Sequence, residues 1–422
     1  MKPLILVTAP VQTRSGYGNH SRDICSALVD LDKYDVRINP CRWGNTPLNA
    51  LEKGNSQHEK IVKHMLSEPK TERQPDLHLH IVIPNEFANV GKRNIGMTAG
   101  IETTIPQPAW VAGCNKMDEV VFVSEFAKQV FKNSEFEEKD KKNVVKLEKP
   151  SSVLFEGVDT NVYKPIQKIG DGVNSLFEDV EEDFNFLFTG HWLQGQLGED
   201  RKDLGMLIKV FCETFKGQKK QPGLILKTSG PDFSIIDRED IVSKINHIKK
   251  SVNGKIPNIY FIHGDLEDSE MNEMYNHPKV KAHISFTHGE GFGRPLLEAA
   301  QSGKPVIAPN WSGQVDFLNE NYAVLLQGSL TSVPEGAFPK EVFYKNTENK
   351  WFTVNYNHAQ QVMKDVVKNY PKYLIKGKQL QAYTKQKFSY DKMKEELDII
   401  ISNHLESLPK QVELKLPKLK KV

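Results

Sequence analysis

The chain has 422 residues, 38% hydrophobic and 26% charged, with 56 Lys and Arg set against 54 Asp and Glu. This composition excludes a disordered chain, and the near-neutral balance excludes a globally basic nucleic-acid coat protein while leaving a local basic patch open. The length predicts two or three domains, each able to bury a core without disulfides or a structural metal.

The first apolar run, Pro3 to Thr8, reads as a buried strand; it soon meets Pro10, Gln12 and Arg14, too short for a membrane span or a secretory leader. A loop rich in Gly and small residues follows around Ser15 to Gly18. Segment 19–31 then places Ile24, Ala27, Leu28 and Leu31 on one helical face. Strands are predicted at 35–39, at 77–83 before Pro84, and at 119–123, with a helix over 125–131. Residues 1–165 form the first predicted domain, and 166–183, with its acidic cluster at 178–183, the predicted linker.

The second half repeats the alternation over 184–387. Strands are predicted at 184–189, 223–228, 259–262, 282–286 and 305–308, with a helix over 204–215 carrying Leu204, Leu207, Ile208 and Phe211 on one side. Strands separated by helix-length patterns mean βαβ units, and hence two parallel-sheet α/β halves with a cleft between their strand ends. The tail 409–422 holds five lysines against one Glu and reads as a solvated terminus or, alternatively, a polyanion-binding arm. Cys25, Cys41, Cys114 and Cys212 are too scattered for a disulfide framework or a zinc ribbon. No stretch approaches 18 uncharged apolar residues, so a cytoplasmic, soluble protein without a transmembrane segment is expected. Oligomeric state is not encoded in any of these patterns.

The stretch Ser285 to Glu298, SFTHGEGFGRPLLE, carries the most chemistry. A strand ends near Phe286, a Gly-rich turn follows, and Pro295 suits the first turn of a helix. Gly291 and Gly293 would let the backbone approach a ligand, with the helix-start N–H groups facing an anion. Glu290 and Glu298 are placed to accept hydrogen bonds from hydroxyl pairs. Against this stands the plain reading of a turn with two surface glutamates.

These residues resemble the E-x7-E signature of retaining glycosyltransferases of the GT-B fold, family four (glycosyl transferases group 1). The likeness runs on through Ala299 to Ala308 and Trp311-Ser312-Gly313-Gln314. Upstream, Thr189-Gly190 and Arg201-Lys202-Asp203 are similar to the family's phosphate-binding region. Ile262-His263-Gly264-Asp265-Leu266 resembles its base-holding strand and loop, and Phe388-Ser389-Tyr390 its returning last helix, about 388–405. The resemblance implies two Rossmann-like domains facing each other across a cleft. It implies a nucleoside diphosphate sugar, UDP-linked by preference, as co-substrate, with no cofactor and no metal. Lys202 and Arg201 would neutralise the donor diphosphate, Glu290 would hold sugar hydroxyls and Glu298 the ribose. Donor contacts are also expected from Phe292, Leu297, Gly264 and Leu266. Where relatives carry an arginine, this chain has His191, which leaves the second charge to Arg201 or to nothing.

Two N-terminal features complete the candidates. Gly16 and Gly18 lie where a loop could pass under the donor phosphates, although the third position of a dinucleotide fingerprint is Ser21 and the second strand ends in Asn39. A simple helix-entry turn is the alternative there. Where relatives place a histidine on the acceptor side, this chain offers Glu102; His78 and His80 share a strand face and read as structural. Asp30-Leu31-Asp32 closes a helix and is discounted as a metal-binding DxD. The opening Thr8 to Val11 with Arg14 to Gly18 resembles glycosyltransferases of tailed-phage genomes, which makes modified DNA an alternative acceptor to a saccharide (host cytoplasm then being the location). An epimerase of the same fold and a non-catalytic nucleic-acid-binding protein are the remaining readings.

Overall fold

Six short apolar stretches in each half pair into two all-parallel sheets. The computed structural model describes residues 2–44, 46–137, 144–193, 195–230, 233–339 and 342–408. In the first sheet run Leu4–Ala9, Asp35–Pro40, Leu77–Ile81, Arg93–Thr98, Glu119–Phe122 and Ser151–Val153. Numbered along the chain, their spatial order is 2-1-3-4-5-6, and every pairing is parallel. The second sheet takes Asn185–His191, Gly223–Ser229, Ile259–Ile262, Val280–Ile284, Val306–Pro309 and Val324–Leu326 in the order 3-2-1-4-5-6, again all parallel. Parallel strands covered on both faces have no solvent-facing side, so even their polar residues are buried. Leu77–Ile81 and Gly223–Ser229 accordingly have every residue buried.

The predicted linker is a packed segment. Val173, Phe177 and Val180 are buried, Gly170 N–H donates to Glu273 at 2.9 Å and Ile166 N–H to Asn276 at 3.2 Å. Its acidic cluster is partly engaged as well, since Tyr260 Oη donates to Glu182 at 2.7 Å. An antiparallel hairpin, Gly328–Ser332 with Lys350–Val354, was not legible in the sequence.

The chain returns to the first domain at residue 388. Val158 N–H donates to Phe388 O at 2.9 Å and Tyr390 N–H to Val158 O at 2.8 Å. A Cβ at Gly157 would lie 2.8 Å from the Tyr390 Cα, so only glycine admits this crossing. Ser389 caps the helix Tyr390–Glu406, which buries Met393, Leu397 and Ile401 at helical spacing. Tyr34 Oη donates to Asp398 at 2.7 Å, and His404 pairs with Glu119 at 2.6 Å, fixing the helix to the first domain. Among the described residues no helix is long and apolar enough to cross a membrane. The Lys-rich tail 409–422 lies outside the described residues.

Candidate active site between the two sheets

Ligands of open α/β sheets bind beyond the carboxyl ends of the strands. The loops leaving those ends in the two domains meet each other here. Ser124 Oγ, from the loop after Glu119–Phe122, donates to Gly291 O at 2.6 Å, and Glu125 N–H donates to Asp316 at 2.8 Å. Thr104 N–H reaches Lys350 O at 2.8 Å. Two further ion pairs, Arg14 with Asp265 and Arg294 with Asp23, also join the domains.

At the centre lies a cluster of four charges. Asp203 stands in the left-handed region at φ 49° before the helix Leu204–Phe215, and Asp200 accepts from Leu204 N–H at 3.1 Å. His288 N–H donates to Arg201 O at 2.8 Å, which seats Arg201 and Lys202 beside the Gly-rich turn. Lys202 Nζ is 2.5 Å from Glu290 Oε1. Arg201 Nη1 lies 3.4 Å from Glu290 Oε2 and 3.2 Å from Glu102 Oε1, and donates to Gly289 O at 3.0 Å. Burial alone would raise the Glu290 carboxyl, but Lys202 and Arg201 outweigh it and hold it below its usual value, so it is ionised. Burial, aided by Lys202, Lys227 and Arg201, pushes His191 down to about 4; it is neutral, and Nδ1 meets Ser229 Oγ at 3.0 Å. Among Lys202, Arg201 and His191, the cations of the cluster are thus Lys202 and Arg201.

Beside this cluster, one guanidinium serves two acids. Arg294 Nε donates to Glu298 Oε1 at 2.8 Å, while Nη1 pairs with Asp23 of the helix Gly16–Asp30. Burial raises Glu298 to about 7 against the pull of Arg294, and raises Asp23 as well. Glu156, 8% exposed, is raised by burial to about 8. His20 is buried with neither ring nitrogen bonded, and burial lowers it to about 3.

Residues 213–335, less than a third of the chain but including both Glu290 and Glu298, match the family of glycosyl transferases group 1. No curated protein matches the sequence. Solved structures match in shape along nearly the whole chain. Sucrose-phosphate synthase from Thermosynechococcus elongatus is 12% identical with a TM-score of 0.65, covering 97% of this chain and 100% of its own. A glycosyltransferase from Rickettsia africae is 15% identical with a TM-score of 0.64, covering 96% and 100%. Anabaena HepE in complex with UDP and glucose is 11% identical with a TM-score of 0.61, covering 95% and 100%. The fold is GT-B.

Within this GT-B frame the expected site residues fall into three groups. Glu290, Lys202, Arg201 and Glu102 come together as described. His191, Gly264 and Glu298 lie at strand ends or on the facing helix start, with Gly264 O accepting from Lys227 Nζ at 2.7 Å. The others serve packing. Phe292 and Leu297, expected on the donor surface, are buried in the core at 2% and 0% exposure, Phe292 packing on Phe317 with ring centroids 5.0 Å apart and planes tilted by 47°. Leu266 is half-buried against the same core.

The glycines also differ from expectation. Gly16 and Gly18 are not a loop: they begin the helix Gly16–Asp30, which Ser15 caps by accepting from Gly18 N–H. A Cβ at Gly18 would stand 2.1 Å from Thr13 O, whereas one at Gly16 would meet nothing within 4 Å. Gly18 is thus needed by the turn before the helix. At Gly291 a Cβ would lie 2.7 Å from Ala99 O, so this glycine admits the close approach of the other domain's backbone. Gly293 caps the helix Arg294–Ala300 at φ 99°, a left-handed position that favours glycine.

Lys227, Arg294 and Glu156 are charged groups of the cleft that the sequence reading did not assign. Lys227 did leave a signal: it is the one charge in the apolar run Gly223 to Leu226 and beyond, at 9% exposure. Burial of such a group demands a partner, and Gly264 O supplies it.

Proposed function

We propose that this GT-B protein is a retaining, metal-independent glycosyltransferase that moves a sugar from a UDP-sugar to an acceptor hydroxyl. The observation that carries this reading is the Lys202–Glu290–Arg201–Glu102 cluster, drawn from both domains at the strand ends. The family match over 213–335 supports it, as does the UDP and glucose named for the Anabaena structure.

Two cations balance two carboxylates in the cluster. When Glu290 turns to donor-sugar hydroxyls, Lys202 and Arg201 become free to face the diphosphate. The bond from the anomeric carbon to the phosphate oxygen breaks, and its electron pair stays on the departing diphosphate. The acceptor oxygen bonds to the anomeric carbon on the same face, and its proton passes to the leaving phosphate oxygen. Lys202 and Arg201 stabilise the charge that develops there, a preorganised electrostatic contribution. Glu298 receives the ribose hydroxyls once Arg294 shifts its bonding toward Asp23. The contacts joining Ser124 to Gly291 and Glu125 to Asp316 hold the domains together and exclude water from the reacting centre.

The test is nucleotide release from a panel of nucleotide sugars, with and without saccharide acceptors and hydroxymethylated DNA. Acceptor-dependent release of UDP, with an α-linked product from an α-linked donor, is expected. Release from no donor in the panel, or sugar isomerisation without acceptor as in an epimerase, would overturn the reading.

A further inference from the structure

Between the helix Pro108–Cys114 of the first domain and the loop around Tyr344 of the second lies an open cleft of about 530 Å³. That volume falls within the ~300–1,000 Å³ of small-molecule sites. Its first-domain wall is the helix Pro108–Cys114 and the strand Glu135–Glu137; its second-domain wall is the loop holding Tyr344, Asn346 and Glu348. We infer that this cleft holds the non-reacting part of a neutral saccharide acceptor, an inference that rests on the glycosyltransferase reading above.

Position is the first ground. Thr104 lines the cleft and stands two residues from Glu102, so their Cα atoms are at most about 7.6 Å apart. Glu348 lies four residues before Phe352, whose N–H donates to His288 O at 3.1 Å, two residues from Glu290. The floor is fixed by reciprocal bonds: Ile105 N–H to Asn349 Oδ1 and Asn349 Nδ2 to Ile105 O, both 3.1 Å. The cleft is thus tied by short stretches of chain to both domains' contributions to the charge cluster.

Chemistry is the second ground. Phe136 and Tyr344 meet edge to face at 5.3 Å and 83°, one from each domain, and offer apolar faces for the C–H side of a sugar ring. Around them Glu135, Glu137 and Glu348 supply acceptors for hydroxyl groups, and the Asn133 and Asn346 amides supply both donors and acceptors. None of the described lining residues is Lys or Arg. Glu135 has Lys146 Nζ at 4.0 Å, which leaves Glu137 and Glu348 as the unneutralised carboxylates among the described lining residues, and these repel a phosphate backbone, which binds through neutralising Lys and Arg. A polyhydroxyl chain fits this lining and a nucleic acid does not.

The experiment compares the wild type with Tyr344→Ala and with Glu348→Gln, the latter at an exposed side chain. Glucose, maltotriose, cellotriose and chitotriose are the saccharide probes, and a short hydroxymethylcytosine duplex is the polyanion. Saturation-transfer NMR without donor reads the cleft directly. At least one trisaccharide is expected to bind the wild type, and to bind about tenfold more weakly in Tyr344→Ala, the loss typical of an aromatic contact residue. In turnover, its KM should rise by a similar factor with kcat and glucose KM nearly unchanged. No trisaccharide binding, binding indifferent to both substitutions, or tight duplex binding to the wild type would overturn the inference. A parallel UDP titration separates the two proposals: UDP binding without saccharide binding sinks only the cleft, and absent UDP binding sinks the donor reading.

Discussion

Lys202→Met removes one of the two cations in contact with Glu290 while keeping most of the side chain's bulk. In the proposed reaction Lys202 faces the departing diphosphate. A full unit charge at about 4 Å, with an effective dielectric near 20, is worth about 4 kcal/mol. Roughly half of that charge has developed at the transition state, which leaves about 2 kcal/mol. Loss of a charge-assisted hydrogen bond, worth ~1.5–3 kcal/mol, overlaps with this and raises the sum to about 3 kcal/mol. The expected outcome is a fall in kcat of about two orders of magnitude. Arg201 still bonds Glu290 and Glu102 in the variant, so the thermal midpoint should move by only a few degrees. Acceptor-dependent UDP release, measured at saturating donor, gives the rate; circular dichroism melting gives the stability. A rate within about threefold of the wild type would contradict the role given to Lys202. A loss of activity accompanied by unfolding would instead assign the residue to structure.

The remaining expectations follow from burial and close approach. Glu156 has its carboxyl raised by burial from 4.5 to about 8. A folded value above the unfolded one means a contribution fully present below about pH 4.5 and lost as pH rises through 8. The melting temperature should therefore decline between pH 5 and 9, and Glu156→Gln should flatten that decline; an unchanged pH profile in the variant would count against it. Gly18→Ala drives a methyl into Thr13 O and should lower stability by about 1–3 kcal/mol, while Gly16→Ala, with open space around it, should be neutral or slightly stabilising in denaturant titrations. Gly291→Ala presses on Ala99 O across the domain boundary, so turnover should fall while each domain's secondary structure persists; wild-type turnover would show that the contact is dispensable.

Much of the fold was legible because buried parallel strands announce themselves as apolar runs and their crossover helices as 3.6-period segments. The runs at 4–8, 77–81 and 223–228 needed nothing more. The hairpin Gly328–Ser332 with Lys350–Val354 escaped because its first strand is exposed and polar, so its pairing depends on Leu330 finding Phe352 across 21 intervening residues. In the site, Glu290 and Glu298 could be found from spacing along one turn and helix. Partners that only folding brings together could not: Arg294 meets Asp23 from 271 residues away, and Glu102 meets Arg201 across the domain boundary. Glycines misled in a different way. Their tolerance for close approach is readable, but whether a ligand or another piece of backbone comes close is not, and at Gly18 and Gly291 it is backbone.

The helix Tyr390–Glu406 has a consequence for the order in which the protein can be made. It completes the first domain, yet it leaves the ribosome only after about 225 further residues have followed Pro165. At roughly 5–20 residues per second, that is a wait of about 11–45 s. During this interval the seat for Met393, Leu397 and Ile401 stays open on the nascent first domain while the second domain is being synthesised. A stop codon or proteolytic cut just before Ser389 therefore injures the domain at the opposite end of the chain, the one translated first.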